Sequence, residues 1–69
     1  MLNKTDENAL NIIRHYYADF GIIPTYKEIA DRCNFNSTGS AFKLAKRLIK
    51  AGYLKKIGSK LAPDNLFAE

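Results

Sequence analysis

Hydrophobic positions in this chain recur at a helical step in three successive segments and then change to short alternation. The first segment runs from about Asp6 to Phe20, with Ala9, Leu10, Ile13, Tyr16, Tyr17 and Phe20 apolar. Steps of one, three and four place these side chains on one stripe of a helix with 3.6 residues per turn. Thr5 or Asp6 is expected to cap its free N–H groups, and Gly21 to end it in a left-handed conformation. His15 falls beside the stripe on the polar side, as a surface histidine.

Pro24 biases Ile23 toward an extended conformation and so separates the first helix from a second, shorter one. Thr25 and Glu28 have the spacing of a capping box, in which each side chain bonds the other residue's backbone N–H. This helix is expected to end near Cys33 or Asn34, with Ile29, Ala30 and Cys33 toward the core. Cys33 reads as a small hydrophobe, not a reactive thiol. Phe35-Asn36-Ser37 forms the next junction, with Phe35 packing over the core and Ser37 capping a third helix over roughly Thr38 to Ala51.

In that third segment Ala41, Leu44, Ala45, Leu48 and Ile49 cluster on one side. Ser40, Lys43, Lys46, Arg47 and Lys50 fall on the other, joined by Gly39 near the start. Gly52 ends the helix. Tyr53 to Ile57 reads as a strand, Gly58-Ser59 as a turn and Lys60 to Ala62 as a returning strand. A two-stranded hairpin is marginal alone, so Tyr53, Leu54, Ile57 and Leu61 are expected to pack on the helices. The fold class predicted is mostly α with a small β-hairpin: a three-helix winged helix-turn-helix occupying residues 1–69 as a single domain.

Charge sharpens this picture. From Arg32 to Pro63 there are eight Lys or Arg residues and no Asp or Glu, whereas the preceding 31 residues hold three basic and five acidic side chains. A positive field confined to one part of a small domain attracts a polyanion to one face. Nucleic acid is the default polyanion and an acidic membrane surface the competitor. A merely solvated helix face more often mixes both signs.

The remaining composition narrows the classes. Hydrophobic residues make up 46% of the chain, which is enough for one modest core and too many for a disordered tail. One cysteine excludes an internal disulfide, and Cys33 with His15 falls short of the four ligands a zinc site wants. No metal, cofactor or small-molecule ligand is implied. No apolar run approaches the roughly 20 residues of a membrane span, and no secretory signal is visible. The expected location is cytoplasmic. No nucleophile, base and orienting group can be named together, so no catalytic residue is assigned and the chain does not read as an enzyme.

The helix-turn-helix geometry assigns the candidate contacts. The short link between the second and third helices sets them near perpendicular and leaves the polar side of the third free to enter a major groove. Ser37, Thr38, Gly39 and Ser40 surround its N-terminus, where small residues permit close approach and N–H groups can meet phosphate or a base edge. Lys43 is the candidate for direct base contact through guanine O6 and N7. Lys46, Arg47 and Lys50 lie further along, as phosphate contacts. Phe42, at the edge of the apolar stripe, either packs at the boundary or touches a thymine methyl. Thr25, Tyr26 and Lys27 at the start of the second helix are placed on the DNA backbone, and Gly58, Ser59 and Lys60 at the hairpin tip on a phosphate or in the minor groove.

Gly21, Pro24-Thr25, Glu28-Ile29-Ala30, Phe35, Ser37, Ala41, Leu48 and Gly52 together resemble the N-terminal DNA-binding domain of LexA-type SOS repressors, over about Asp6 to Ala62. The composite of G-x-x-P-T-x-x-E-I-A, F-x-S and L-x-x-x-G carries the resemblance. It implies a winged helix-turn-helix that binds palindromic operators as a dimer and represses transcription, with Ser37, Gly39, Ser40, Phe42 and Lys43 as the base-reading surface. At three of these positions the chain departs from well-known members, which carry Asn in place of Gly39 and acids in place of Phe42 and Lys43. The SOS operator is therefore not transferred. Self-cleavage by a Ser-Lys dyad is not implied either, because 69 residues leave no room for that second domain.

Two function classes follow. The first is sequence-specific binding of double-stranded DNA as a transcriptional repressor, with a possible homodimer formed through Tyr16, Tyr17, Leu66-Phe67 or a further domain. The alternative is a small phage or plasmid protein-interaction module that binds a host factor through the same surface.

Overall fold

The computed structural model describes residues 2–68 and contains α1 (Lys4–Phe20), α2 (Tyr26–Arg32), α3 (Thr38–Lys50), β1 (Leu54–Ile57) and β2 (Lys60–Pro63) in that order. The strands form an antiparallel hairpin in which Leu54 pairs with Pro63, Lys56 with Leu61 and Ile57 with Lys60. Three helices followed by this hairpin give the mostly helical winged helix-turn-helix that the periodicity predicts.

α1 starts earlier than expected. Asn3 is its cap, and its side-chain oxygen accepts the Asp6 N–H at 2.8 Å. Neither Thr5 nor Asp6 caps the helix; both lie inside the first turn. The far end agrees with expectation, since Gly21 sits at φ 74° and donates its N–H to the Tyr17 carbonyl at 2.7 Å. That φ is cheap for glycine and costly for most other residues. The last turn is less buried than the stripe implies. Phe20 is exposed and stacks on Tyr16 with ring centroids 4.6 Å apart. Tyr16 also lies beneath the Arg32 guanidinium at 4.8 Å.

At α2, the Thr25 hydroxyl accepts the Glu28 N–H at 3.2 Å, which is half of the capping box. The Glu28 carboxylate does not return the bond and pairs instead with Arg32 one turn on, at 3.1 Å. The helix ends at Arg32, with Cys33 as its C-cap. Asn34 follows in a left-handed conformation at φ 62°, which asparagine tolerates better than most residues. The Phe35 N–H then reaches back to the Ala30 carbonyl at 2.8 Å. This bond closes the turn and swings the chain directly into α3. Cys33 and Phe35 are half-buried and pack on the core, and burial pushes the Cys33 thiol up from its ordinary pKa.

Ser37 occupies the N-cap position of α3, but its side chain makes no capping hydrogen bond. The cap expected there is absent. Along α3, Ala41, Leu44, Ala45 and Leu48 are buried, and three of them join Ala9, Leu10, Ile13, Ile29, Ala30 and Leu54 in one core. Burying a Leu-sized side chain contributes about 1.5–3 kcal/mol, so α3 is the helix on which the core is assembled.

Pairing register assigns the hairpin's side chains to its two faces. Leu54 is buried and Leu61, paired with Lys56, is half-buried on the same face. Ile57 stands three residues beyond Leu54, which turns it to the outer face, and it is 60% exposed. The expectation that Ile57 packs on the helices is therefore corrected. Leu66 reverses another expectation. It is 2% exposed and part of the core, so it is not available as a dimer contact. Arg14 holds the returning chain over α1, donating Nε to the Leu66 carbonyl at 2.6 Å and Nη2 to the Ala68 carbonyl at 2.9 Å.

One long-range ion pair ties α1 to α3. Asp6 is almost fully buried, and Arg47 donates Nε to its Oδ2 at 2.9 Å and Nη2 to its Oδ1 at 2.8 Å. The hydrogen bond to Asp6 raises the Arg47 pKa further, against a smaller opposing effect of burial. A forked guanidinium on both carboxylate oxygens is geometrically specific.

Two stability predictions follow from these contacts. Arg47→Ala strands a buried carboxylate, and loss of such charged hydrogen bonds costs about 1–3 kcal/mol. Arg47→Lys should recover little of this, because an ammonium cannot reproduce the fork. Urea unfolding reads the effect, and an Arg47→Ala midpoint equal to the parent's would remove the pair from the fold's support. Leu48→Ala, at the centre of the buried stripe, should cost about 2–5 kcal/mol. A thermal melt close to that of the parent would show that the site collapses without penalty.

Candidate nucleic-acid interface

Burial of Ala41, Leu44, Ala45 and Leu48 turns the opposite side of α3 to solvent. Ser37, Thr38, Gly39, Ser40, Phe42, Lys43, Lys46, Arg47 and Lys50 are all exposed. At about 100° per residue, Gly39, Lys43, Lys46 and Lys50 form the crest farthest from the core. Phe42 and Arg47 lie on the two flanks. Three ammonium groups on the crest with no acid among them make it strongly cationic, and the N–H groups of the first turn add partial positive charge at its start.

Ser37 spends no hydroxyl on capping, and Thr38, Gly39 and Ser40 follow it with small side chains. Gly39 is not demanded by packing. A Cβ built there meets the Ser37 Oγ at 3.6 Å, an ordinary contact, and its φ is not positive. A glycine inside a helix loses stability relative to alanine, so this position gives up stability for a bare backbone at the exposed crest.

Arg47 was expected among the phosphate contacts. The structure gives it a partner inside the protein, with both Asp6 oxygens occupied by its guanidinium. The other flank carries an aromatic pair. The Phe42 ring is 41% exposed and meets the Tyr26 ring edge-on, with centroids 5.4 Å apart. Lys46 Nζ lies 5.6 Å and Lys56 Nζ 5.8 Å from the Phe42 centroid. Phe42 is thus a boundary residue with a face open to solvent. Lys56 was not among the expected contacts, although strand alternation from buried Leu54 could have found it: two residues on, it returns to the face that looks at α3.

The start of α2 and the hairpin also come together. Thr25 and Tyr26 share a groove of about 530 Å³ with Ser59 and Lys60. The Thr25 hydroxyl there is already committed to the Glu28 N–H. Lys27 and Gly58 are exposed and do not line this groove. Gly58, at φ 62°, makes the hairpin turn.

Among the described residues, no three His, Cys, Asp or Glu side chains group as a metal site, and no helix is long and apolar enough to cross a membrane. His15 is exposed on α1. A comparison with curated protein sequences finds no match. Comparison with protein families finds one that spans the helix-turn-helix and the first strand together: the LexA DNA binding domain, matched over residues 1–60. The chain belongs to the LexA DNA-binding domain family, a non-catalytic module that binds DNA.

Proposed function

We propose that this chain recognises a specific duplex DNA site with the exposed crest of α3 and represses transcription by occupying an operator. The crest carries the proposal: Gly39, Lys43, Lys46 and Lys50 are exposed on one line, with no acid beside them. The bare backbone at Gly39 lets the helix start approach base edges, and Ser37, Thr38 and Ser40 supply short donors beside it. Lys43 stands nearest the insertion point and reads a base. Lys50, two turns on, holds phosphate. Thr25, Tyr26, Lys27 and the hairpin tip at Gly58, Ser59 and Lys60 flank the helix and contact backbone. Arg47 supports this surface through Asp6 and does not itself bind DNA.

Operator occupancy excludes polymerase without any bond being made or broken. A two-fold site read by two copies would double the contacts. Exposed Phe67 and the Tyr16–Phe20 pair leave apolar surface for a second copy, whereas buried Leu66 does not.

Selection of bound sequences from random duplex DNA tests the reading. A defined palindrome is the expected result. Recovery of random sequence, or salt-insensitive capture of a protein in place of DNA, would favour the protein-interaction module. Lys43→Ala and Lys50→Ala separate recognition from charge. Loss of Lys43 should relax preference at one position by about 1–3 kcal/mol. Loss of Lys50 should weaken all sequences alike and lower the salt slope by about one. If Lys43→Ala also weakens every sequence alike, Lys43 is a phosphate contact and the reading of bases moves to Ser40 or the helix start.

Gly39→Ala gives an opposed pair of effects. The fold has space for the methyl group, so the variant should gain about 0.5–1 kcal/mol of stability. It should also bind the selected duplex more weakly, because the methyl group stands where the DNA approaches. A variant that melts higher and binds as well as the parent would show that Gly39 is not at the contact surface.

A further inference from the structure

The flank of α3 that carries Phe42 faces the hairpin across a groove of about 550 Å³, whose lining includes Tyr26, Phe42, Lys46 and Lys56 and extends across α3 to Arg47. Its floor is apolar and its rim basic. Phe42 sits in the floor with its edge-on contact to Tyr26, which holds the ring in place. Lys46 from α3 and Lys56 from β1 both bring an ammonium to within 6 Å of the ring centroid, close enough for the ring to attract each cation. Two elements far apart in sequence thus converge their charge on one exposed aromatic surface.

A phosphodiester strand has the complementary chemistry. Its deoxyribose offers C–H surface, and the phosphates on either side of each sugar offer negative charge. Geometry supports the same match. A helix whose crest enters the major groove is bordered by one strand on each flank. The hairpin stands beside one of those flanks, so the strand bordering the groove there must cross between α3 and β1. Base edges at the floor of the groove face the crest, not the flank, which argues against base contact by Phe42.

We propose that the trough between α3 and the hairpin seats one sugar–phosphate strand of the duplex, with Phe42 against a deoxyribose and Lys46 and Lys56 on the two adjoining phosphates. The proposal rests on the duplex-binding reading above. It gives the hairpin a role through Lys56 in the strand, beyond its tip, and makes Phe42 a positioning residue that sets the depth of α3 in the groove. Contact to sugar and phosphate carries no sequence information directly, so this subsite fixes register and leaves base reading to the crest.

The test uses the selected duplex carrying single methylphosphonate linkages, which remove one phosphate charge at a time, with the parent, Lys56→Ala and Phe42→Ala. The parent should be weakened by neutralisation of adjacent linkages on the strand next to the hairpin. Lys56→Ala should lower the salt slope by about one and lose its sensitivity to one of those linkages. Phe42→Ala should weaken binding to every sequence alike, including duplexes in which uracil replaces each thymine in turn. Lys56 is exposed, so the Lys56→Ala arm decides the matter even if Phe42→Ala melts early. The proposal is overturned if Lys56→Ala binds as the parent does or keeps its full sensitivity at every linkage. It is also overturned if Phe42→Ala loses the distinction between thymine and uracil at one position, since the ring would then be reading a methyl group. A parent with no salt-dependent duplex affinity overturns the duplex-binding reading and this proposal together; a parent that binds and a Lys56→Ala variant that matches it overturn this proposal alone.

Discussion

The rotation of α3 about its own axis is the constraint on which the rest of this small structure depends. One helix of 13 residues supplies the middle of the core and the exposed cationic crest. A rotation of a few tens of degrees would bury lysine and expose leucine. Apolar burial resists that rotation without fixing it finely, because hydrophobic contacts are not directional. The Asp6–Arg47 pair adds direction. Its two short bonds, 2.8 and 2.9 Å, hold one flank of α3 to the first turn of α1. On the other flank the Tyr26–Phe42 contact holds it to α2. Helix α3 is thus held on three sides, and its crest is left free.

The same arrangement explains how a marginal hairpin keeps its place. Leu54 anchors β1 in the core, and Leu61 and the half-buried Pro63 cover the inner face from β2. The Tyr53 carbonyl and the Gly52 carbonyl then accept the Asp64 and Asn65 N–H groups at 3.2 and 3.1 Å, which carries the chain back toward α1. There Leu66 enters the core and Arg14 clamps its carbonyl. Hairpin, return segment and α1 therefore close on one another. The orientation of β1 that results is what brings Lys56 opposite Phe42.

Charge segregation along the chain becomes charge segregation in space by a simple route. The acid-free stretch from Arg32 to Pro63 spans α3 and the hairpin, two elements that pack side by side. Two of its members pair with acids from the N-terminal part of the chain: Arg32 with Glu28 and Arg47 with Asp6. Lys43, Lys46, Lys50, Lys55, Lys56 and Lys60 remain exposed, and their mutual repulsion is offset when a polyanion binds.

Much of this protein was legible in the order of its residues. The helical steps, the cap at Thr25, the stop at Gly21, the turn at Gly58 and the crest of α3 follow from local stereochemistry and a 3.6-residue period, which a short window of sequence contains. The family resemblance followed from the same residues. What escaped depends on geometry that no short window contains, in two cases between residues more than 40 apart. Asp6 and Arg47 each look like surface charges until the packing of α1 on α3 joins them. Ile57 and Leu66 exchange their expected places because strand register and the return of the chain, not hydrophobicity, choose which apolar side chain finds the core. Ser37 stands at a cap position without making the bond, since cap preference describes a location and hydrogen bonding needs a geometry. Lys56 and Phe42 meet only after the hairpin has docked. The sequence by itself determined the elements and the face of the recognition helix, because those depend on neighbours three and four residues away. The tertiary structure decided which charges are paired within the fold and which stand exposed without an acidic partner, because a side chain's partner is set by whatever the fold places beside it.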